Sequence, residues 1–187
     1  SKRQLGDLEL GLGAIEVTSR VTGYQRRDVL NGQILGHEEL DLPPQQLTTR
    51  GYWWMIPPEV LRRARIDDAT VPGALHAAEH AAIGILPLFT ICDRWDVGGV
   101  STPWLDDTGG PTIVIYDGHP GGAGIAEMGF EFADRQLQAT VDVLDRCRCR
   151  DGCPSCVQSP KCGNWNEPLD KRAAARLIRA ANLPDPG

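Results

Sequence analysis

No run of apolar residues in the 187-residue chain approaches the roughly 18 that cross a bilayer, and no secretory leader opens it, so a membrane partner is not expected. The phosphate-cradling pattern G-x-x-x-x-G-K-[ST], the D-E-x-H box and the dinucleotide fingerprint are all missing. ATP hydrolysis by that route is therefore excluded for this chain. Positive charge is also in short supply, with 19 Lys and Arg against 25 Asp and Glu and a net charge of −6. Autonomous nucleic-acid binders are usually strongly basic, and this balance argues against one. A hydrophobic share of 41% and a charged share of 24% are ordinary for a soluble globular protein. The length suffices for one good core or two small ones.

Cysteine is scarce everywhere but one place. Five of the six fall within sixteen residues, Cys147-Arg-Cys149-Arg-Asp-Gly-Cys153-Pro-Ser-Cys156-Val-Gln-Ser-Pro-Lys-Cys162. A Cys-x-x-Cys turn lets two thiolates reach one metal, and zinc takes four such ligands at tetrahedral corners. The spacing predicts structural Zn²⁺ on Cys149, Cys153, Cys156 and Cys162, with Cys147 as the alternate first ligand. Disulfides fit poorly, because pairings this close would be strained and five is odd. A redox Cys-x-x-Cys fits poorly too, since it opens a helix after a strand and has no use for three more cysteines. A closed all-sulfur site leaves no position for water, so it serves folding rather than catalysis. Clustered metal-type cysteines without a secretion signal predict a reducing, cytoplasmic setting.

Charge is uneven around this cluster. From Arg146 to Arg179 eight basic residues face only Asp151, Glu167 and Asp170, giving +5 there and −11 elsewhere. Such a cap suits phosphates. It equally suits the formal −2 that four thiolates leave on Zn²⁺.

The N-terminal part reads as strands. Ile15, Val17, Ser19 and Val21 alternate with Glu16, Thr18, Arg20 and Thr22. Asn31-Gly32 predicts a tight hairpin turn with Ile34-Leu35 on the return. After Pro43-Pro44, Leu47 to Ile56 is a further strand carrying Tyr52-Trp53-Trp54. Aromatics beside a strand end usually belong to a core, while exposed ones stack on bases. Pro57-Pro58 opens a short helix and Pro72 to about Leu86 a longer alanine-rich one. Val97 to Val100 reads as strand or turn, and Thr112 to Tyr116 as a buried strand. Helices are expected from about Ile125 to Asp145 and from Pro168 to Ala181, with the cysteine loop as a clip between them, and Leu183 to Gly187 carries no structural expectation. Lone Cys92 reads as a small hydrophobe.

Two further patterns invite chemistry. His76-Ala-Ala-Glu79-His80 spells H-x-x-E-H, which on a helix puts three side chains on one face, as in zinc peptidases of the inverted type. A third ligand is not identifiable in the sequence, so histidines hydrogen-bonded within an interface are the expected reading and a zinc hydrolase the alternative. Gly118-His-Pro-Gly121-Gly122-Ala-Gly124 joins a strand to a helix, an arrangement that can hold phosphate. A tight turn with close packing is the favoured explanation.

Taken in order, Gly73-Ala-Leu-His76-Ala-Ala-Glu79-His80, Cys92-Asp-Arg-Trp-Asp96, Tyr116-Asp-Gly-His-Pro-Gly-Gly-Ala-Gly124 and Cys149-x3-Cys153-Pro-Ser-Cys156-x5-Cys162-Gly-Asn164 resemble the C-terminal zinc-binding domain of superfamily-two DNA helicases of the mitomycin repair factor A type. The resemblance covers Val71 to about Leu183 and includes Leu169-Asp-Lys171; the segment before Thr49 resembles the preceding accessory region less specifically. It implies an ATP-driven 3′-to-5′ helicase of DNA repair, whose motor is absent from this chain. With Ser1 as an unnatural start, the chain is expected to be a C-terminal fragment working with those motor domains.

The expectation is thus an α+β protein: a β-rich accessory segment over 1–57, then a helical and β domain over 58–187 with its clip at 147–163. It would support DNA binding, single-stranded in particular, or motor architecture; a domain that only braces the motor is the remaining alternative. Arg146, Arg148, Arg150, Lys161, Trp53 and Trp54 are the expected DNA contacts.

Overall fold

The computed structural model describes residues 1–184, so the end of the Leu183–Gly187 terminus lies outside the described residues. The alternating segment near Ile15 belongs to a long strand, β2 (Leu8–Ser19), preceded by β1 (Lys2–Leu5). A hairpin follows, β3 (Gly23–Arg27) with β4 (Ile34–Glu39), and then β5 (Gln45–Met55). β2 pairs antiparallel with β5 over eleven positions, from Glu9 opposite Met55 to Ser19 opposite Gln45. Later strands β6 (Val97–Leu105) and β7 (Gly110–Asp117) complete an antiparallel sheet of order β1-β2-β5-β7-β6. The sheet therefore draws strands from both sides of residue 57, with Gly51 opposite Tyr116 across the join.

The Asn31-Gly32 turn differs from expectation. It closes β3 onto β4 rather than returning from β2, and it is longer than two residues. Asp28 accepts hydrogen bonds from the backbone N–H of Leu30 and Asn31, and Gly32 alone takes positive φ (71°). A side-chain-stabilised loop of this kind does not need Asn31 in the left-handed region.

The described residues form five α-helices: α1 (Pro58–Ala64), α2 (Val71–Ile85), α3 (Ile125–Glu131), α4 (Ala133–Arg146) and α5 (Lys171–Arg179), of which α2 and α3 pack on the sheet and the others on helices. Toward them β5 and β7 turn Tyr52, Trp54, Ile113 and Ile115, all fully buried. α2 runs through the middle and packs on β6, β7, α4 and α5. Ala74, Ala77, Ala78, Ala81 and Ala82 are buried along it, small enough to let neighbours approach on several sides. A buried relay ties three elements together: the Tyr52 hydroxyl donates to Gln136 Oε1 (2.9 Å), and Gln136 Nε2 donates to the Ala82 carbonyl (3.0 Å).

The single helix expected over Ile125–Asp145 is two. Phe132 leaves helical geometry (φ −96°, ψ 18°), ending α3 and starting α4. The reason is tertiary: α3 packs on the sheet and α4 on α2 and α5, so the chain changes direction between them. At the other end Asp170 caps α5, accepting the Ala173 N–H at 2.8 Å, which leaves Pro168 and Leu169 outside the helix. No described helix is long and apolar enough to cross a membrane.

Candidate metal centre

α4 stops at Cys147, whose backbone is already extended (φ −70°, ψ 118°). In extended chain, residues two apart project to the same side, which brings the Cys147 and Cys149 sulfurs together. The two sulfurs are 3.5 Å apart. Gly152 (φ 115°) then reverses the chain into Cys153-Pro-Ser-Cys156, closed by Cys156 N–H to the Cys153 carbonyl at 3.0 Å. Three further sulfur separations are 3.5 Å for Cys147–Cys153, 3.5 Å for Cys149–Cys156 and 3.7 Å for Cys153–Cys156, and all four sulfurs lie within 4.8 Å of one another. A tetrahedron with zinc–sulfur arms of about 2.3 Å has edges of about 3.8 Å. The donor set and its spacing fit structural zinc.

Cys162, expected as the fourth ligand, is not in this group. Val157 plunges into the core, fully buried, and the chain then runs along α2. That path sets the Cys162 sulfur 3.3 Å from His76 Nε2, and Cys147 occupies the fourth corner of the cluster.

Lys171, half hidden in the count of basic residues, faces the cluster directly. It is 7% exposed, and its ammonium donates to the Cys147 and Cys149 carbonyls (2.5 and 3.0 Å) and to Cys149 Sγ (3.4 Å). With zinc bound, its ammonium would offset part of the excess negative charge of four thiolates on a divalent ion. Lys171→Met keeps the aliphatic stem and removes the charge. Zinc affinity should fall about 10- to 100-fold, as for other outer-shell partners, in competition with a chromophoric chelator. Unchanged affinity would reduce the lysine to a packing residue.

The expected DNA contacts divide. Arg146, Arg148 and Arg150 point outward, exposed, around the clip. Lys161 is exposed as well, but its ammonium is engaged: it donates to the carbonyls of Arg94, Trp95 and Val97 and lies over the Trp95 ring. Trp54 is 1% exposed in the core and offers no face to a base. Its neighbour Trp53 points to the opposite side of the sheet, half-buried, with its indole lying across Gly11 of β2. A shallow groove between α4 and α5 adds arginines the sequence did not single out, Arg172, Arg176 and Arg179 beside Arg150.

His76, Glu79 and His80 are all buried on α2. Burial pushes the Glu79 carboxyl up to about 7, with a hydrogen bond to Ser101 acting against it. Burial likewise pushes His80 down to about 4, against the pull of the Val157 carbonyl. The glycine loop holds its own anion. Asp117, fully buried, accepts the backbone N–H groups of Ala123, Ile125 and Ala126 at the start of α3, so the loop is a turn closed by a carboxylate. Cys92 packs partly buried against the core as expected.

Sheet, helices and four-sulfur clip together define an α+β domain built around structural zinc. The sequence model of the MrfA Zn-binding domain matches residues 78–157, a span that holds all four clustered cysteines and ends short of Cys162. An uncharacterized protein of Methanocaldococcus jannaschii, MJ1572.1, is 42% identical over 107 residues, 56% of this chain and 96% of that protein. The uncharacterized ATP-dependent helicase YprA of Bacillus subtilis is 31% identical over 148 residues, 79% of this chain and 19% of that protein. Among solved structures, the DUF1998 helicase MrfA bound to DNA superposes with a TM-score of 0.69 at 27% identity, over 96% of this chain and 23% of that one. The chain belongs to the MrfA Zn-binding domain family. It spans nearly all of the archaeal relative and about a fifth of the helicases.

Proposed function

We propose that the chain is the zinc-braced accessory domain of an ATP-dependent 3′-to-5′ DNA helicase acting in repair, and that its basic end contacts single-stranded DNA. The observation that carries this is the likeness, over 96% of the chain, to a helicase solved with DNA bound. The exposed arginines support it. Arg146, Arg148, Arg150 and Arg172 gather where α4, the clip and α5 meet, on a chain otherwise short of positive charge. Their ion pairs are weak ones, Arg146 with Asp142 and Arg150 with Asp151 each at 3.8 Å, so the guanidinium groups remain free to exchange partners. The clip fixes that surface by joining the C-terminal end of α4 to the start of α5.

Fluorescence anisotropy with a labelled single-stranded oligonucleotide tests the reading. Three phosphate contacts give a salt slope near −2, so affinity should fall about 15-fold between 50 and 200 mM salt. Arg148→Glu with Arg150→Glu should weaken binding further and flatten the slope. Absent or salt-insensitive binding would leave the domain as a brace for the motor.

A further inference from the structure

The clip does not account for the second group of metal-type side chains. His76, His80 and Cys162 each offer one ligand atom within 4.8 Å of the other two. The histidines sit one helical turn apart on α2, the spacing at which two imidazoles reach one ion. Their ring centroids are 4.3 Å apart.

Hydrogen bonding sets their chemistry. His76 Nδ1 lies 2.9 Å from the Pro168 carbonyl and His80 Nδ1 lies 2.7 Å from the Val157 carbonyl. A carbonyl only accepts, so each Nδ1 carries a proton, and in the neutral ring that tautomer leaves the lone pair on Nε2. Nδ1–H to a backbone carbonyl is the arrangement that orients metal-bound histidine. His76 Nε2 faces the Cys162 sulfur at 3.3 Å. A ring nitrogen of His80 lies within 4.8 Å of the same sulfur. Among the described residues, His80 Nε2 has no hydrogen-bond donor.

Cys162 is prepared in turn. The Asn166 N–H donates to its sulfur at 3.3 Å and holds the side chain toward α2. The Asn166 side chain pins the loop by accepting from Ser159 N (2.7 Å) and donating to Ser159 O (3.1 Å). A site with arms of about 2.0 Å to nitrogen and 2.3 Å to sulfur has a nitrogen–sulfur edge of about 3.5 Å, near the observed separation.

We propose that His76 Nε2, His80 Nε2 and Cys162 Sγ form a second zinc site, separate from the four-cysteine clip, with its fourth position open. No other His, Cys, Asp or Glu joins the three among the described residues. The ligands instead line a cavity of about 380 Å³ shared with Glu79, Arg94 and Lys161. Three protein ligands beside a cavity is the coordination of zinc sites that keep a water or take an exogenous oxygen donor. The mixed imidazole and thiolate set suits Zn²⁺ over the oxygen-loving Mg²⁺ and Ca²⁺. The site supplies the third ligand that the H-x-x-E-H pattern alone lacks, and it stands or falls independently of DNA contact.

Zinc content and Co²⁺ substitution of the whole chain decide it. The wild type should hold two zinc ions, and apoprotein should take up two equivalents of Co²⁺. One equivalent should show the strong sulfur-to-cobalt charge transfer of four thiolates, the other the weaker band of a single thiolate. Cys162→Ser and His80→Gln should each lose the weaker component and one zinc while keeping the stronger. Uptake that ends at one equivalent in the wild type overturns the site whether or not either variant folds. So does retention of both metals in folded Cys162→Ser and His80→Gln.

Discussion

Cys147→Ser should strip the clip of its zinc, whereas Cys162→Ser should leave that zinc in place. The clip sulfurs of Cys147, Cys149, Cys153 and Cys156 stand at near-tetrahedral spacing, and Cys162 is engaged with α2 instead. Structural zinc in small sites contributes on the order of 10–16 kcal/mol of apparent binding free energy, comparable to the roughly 5–15 kcal/mol that holds a whole domain folded. Three thiolates with a serine retain only part of that. The clip joins α4 to α5, and Lys171 at the start of α5 would then have no anionic cluster to face. Cys147→Ser should therefore melt at a markedly lower temperature, with the loss concentrated in amide protection at the end of α4 and the start of α5. Four-thiolate cobalt absorption should vanish in Cys147→Ser and persist in Cys162→Ser. The reverse pattern would restore the ligand set read from spacing.

The contrast between those two cysteines shows where sequence stops informing. Both Cys147-x-Cys149 and Cys156-x5-Cys162 are serviceable metal spacings, and local pattern cannot choose. The choice is made by Val157, whose burial under α2 carries the chain past the clip to the histidines. The same limit applies to Trp53 and Trp54. Alternation along β5 fixes that they face opposite ways, but only the helices, packed on one side, decide that Trp54 is the buried one. What depends on periodicity alone reads well: α1, α2, β5 and β7 lie within a residue or two of their expected places, and the α+β class follows. The break at Phe132 and the pairing of β2 with β5 around an intervening hairpin are tertiary and leave no local trace. The sequence shows Lys171 as one of eight cations and as the end of the Leu169-Asp-Lys171 match, and its burial is what assigns it to the clip.

Asp117→Asn should destabilise the domain by about 3 kcal/mol while leaving the zinc of the clip in place. Asp117 is fully buried, at the end of β7, and its two oxygens satisfy three backbone N–H groups at the start of α3, with Ala126 N at 2.7 Å from Oδ1. Those of Ile125 and Ala126 are orphan donors of a helix N-terminus, where a carboxylate is doubly favoured by hydrogen bonding and by the helix dipole, and that of Ala123 lies just before the cap. Each hydrogen bond to a charged group contributes about 1.5–3 kcal/mol. Asparagine keeps the shape but turns one acceptor into a donor, so at least one N–H meets another N–H in a dry site. For a chain of this size the expected drop in Tm is about 6–12 °C, read from thermal or urea melts. The metal stays because Asp117 touches the α3 end of the loop and not the clip. A variant that melts like wild type would mean that the loop of Gly121, Gly122 and Gly124, each at positive φ, holds its shape without the carboxylate. Phosphate binding at α3 would then return as a use for that loop, since the anion now filling it would be dispensable.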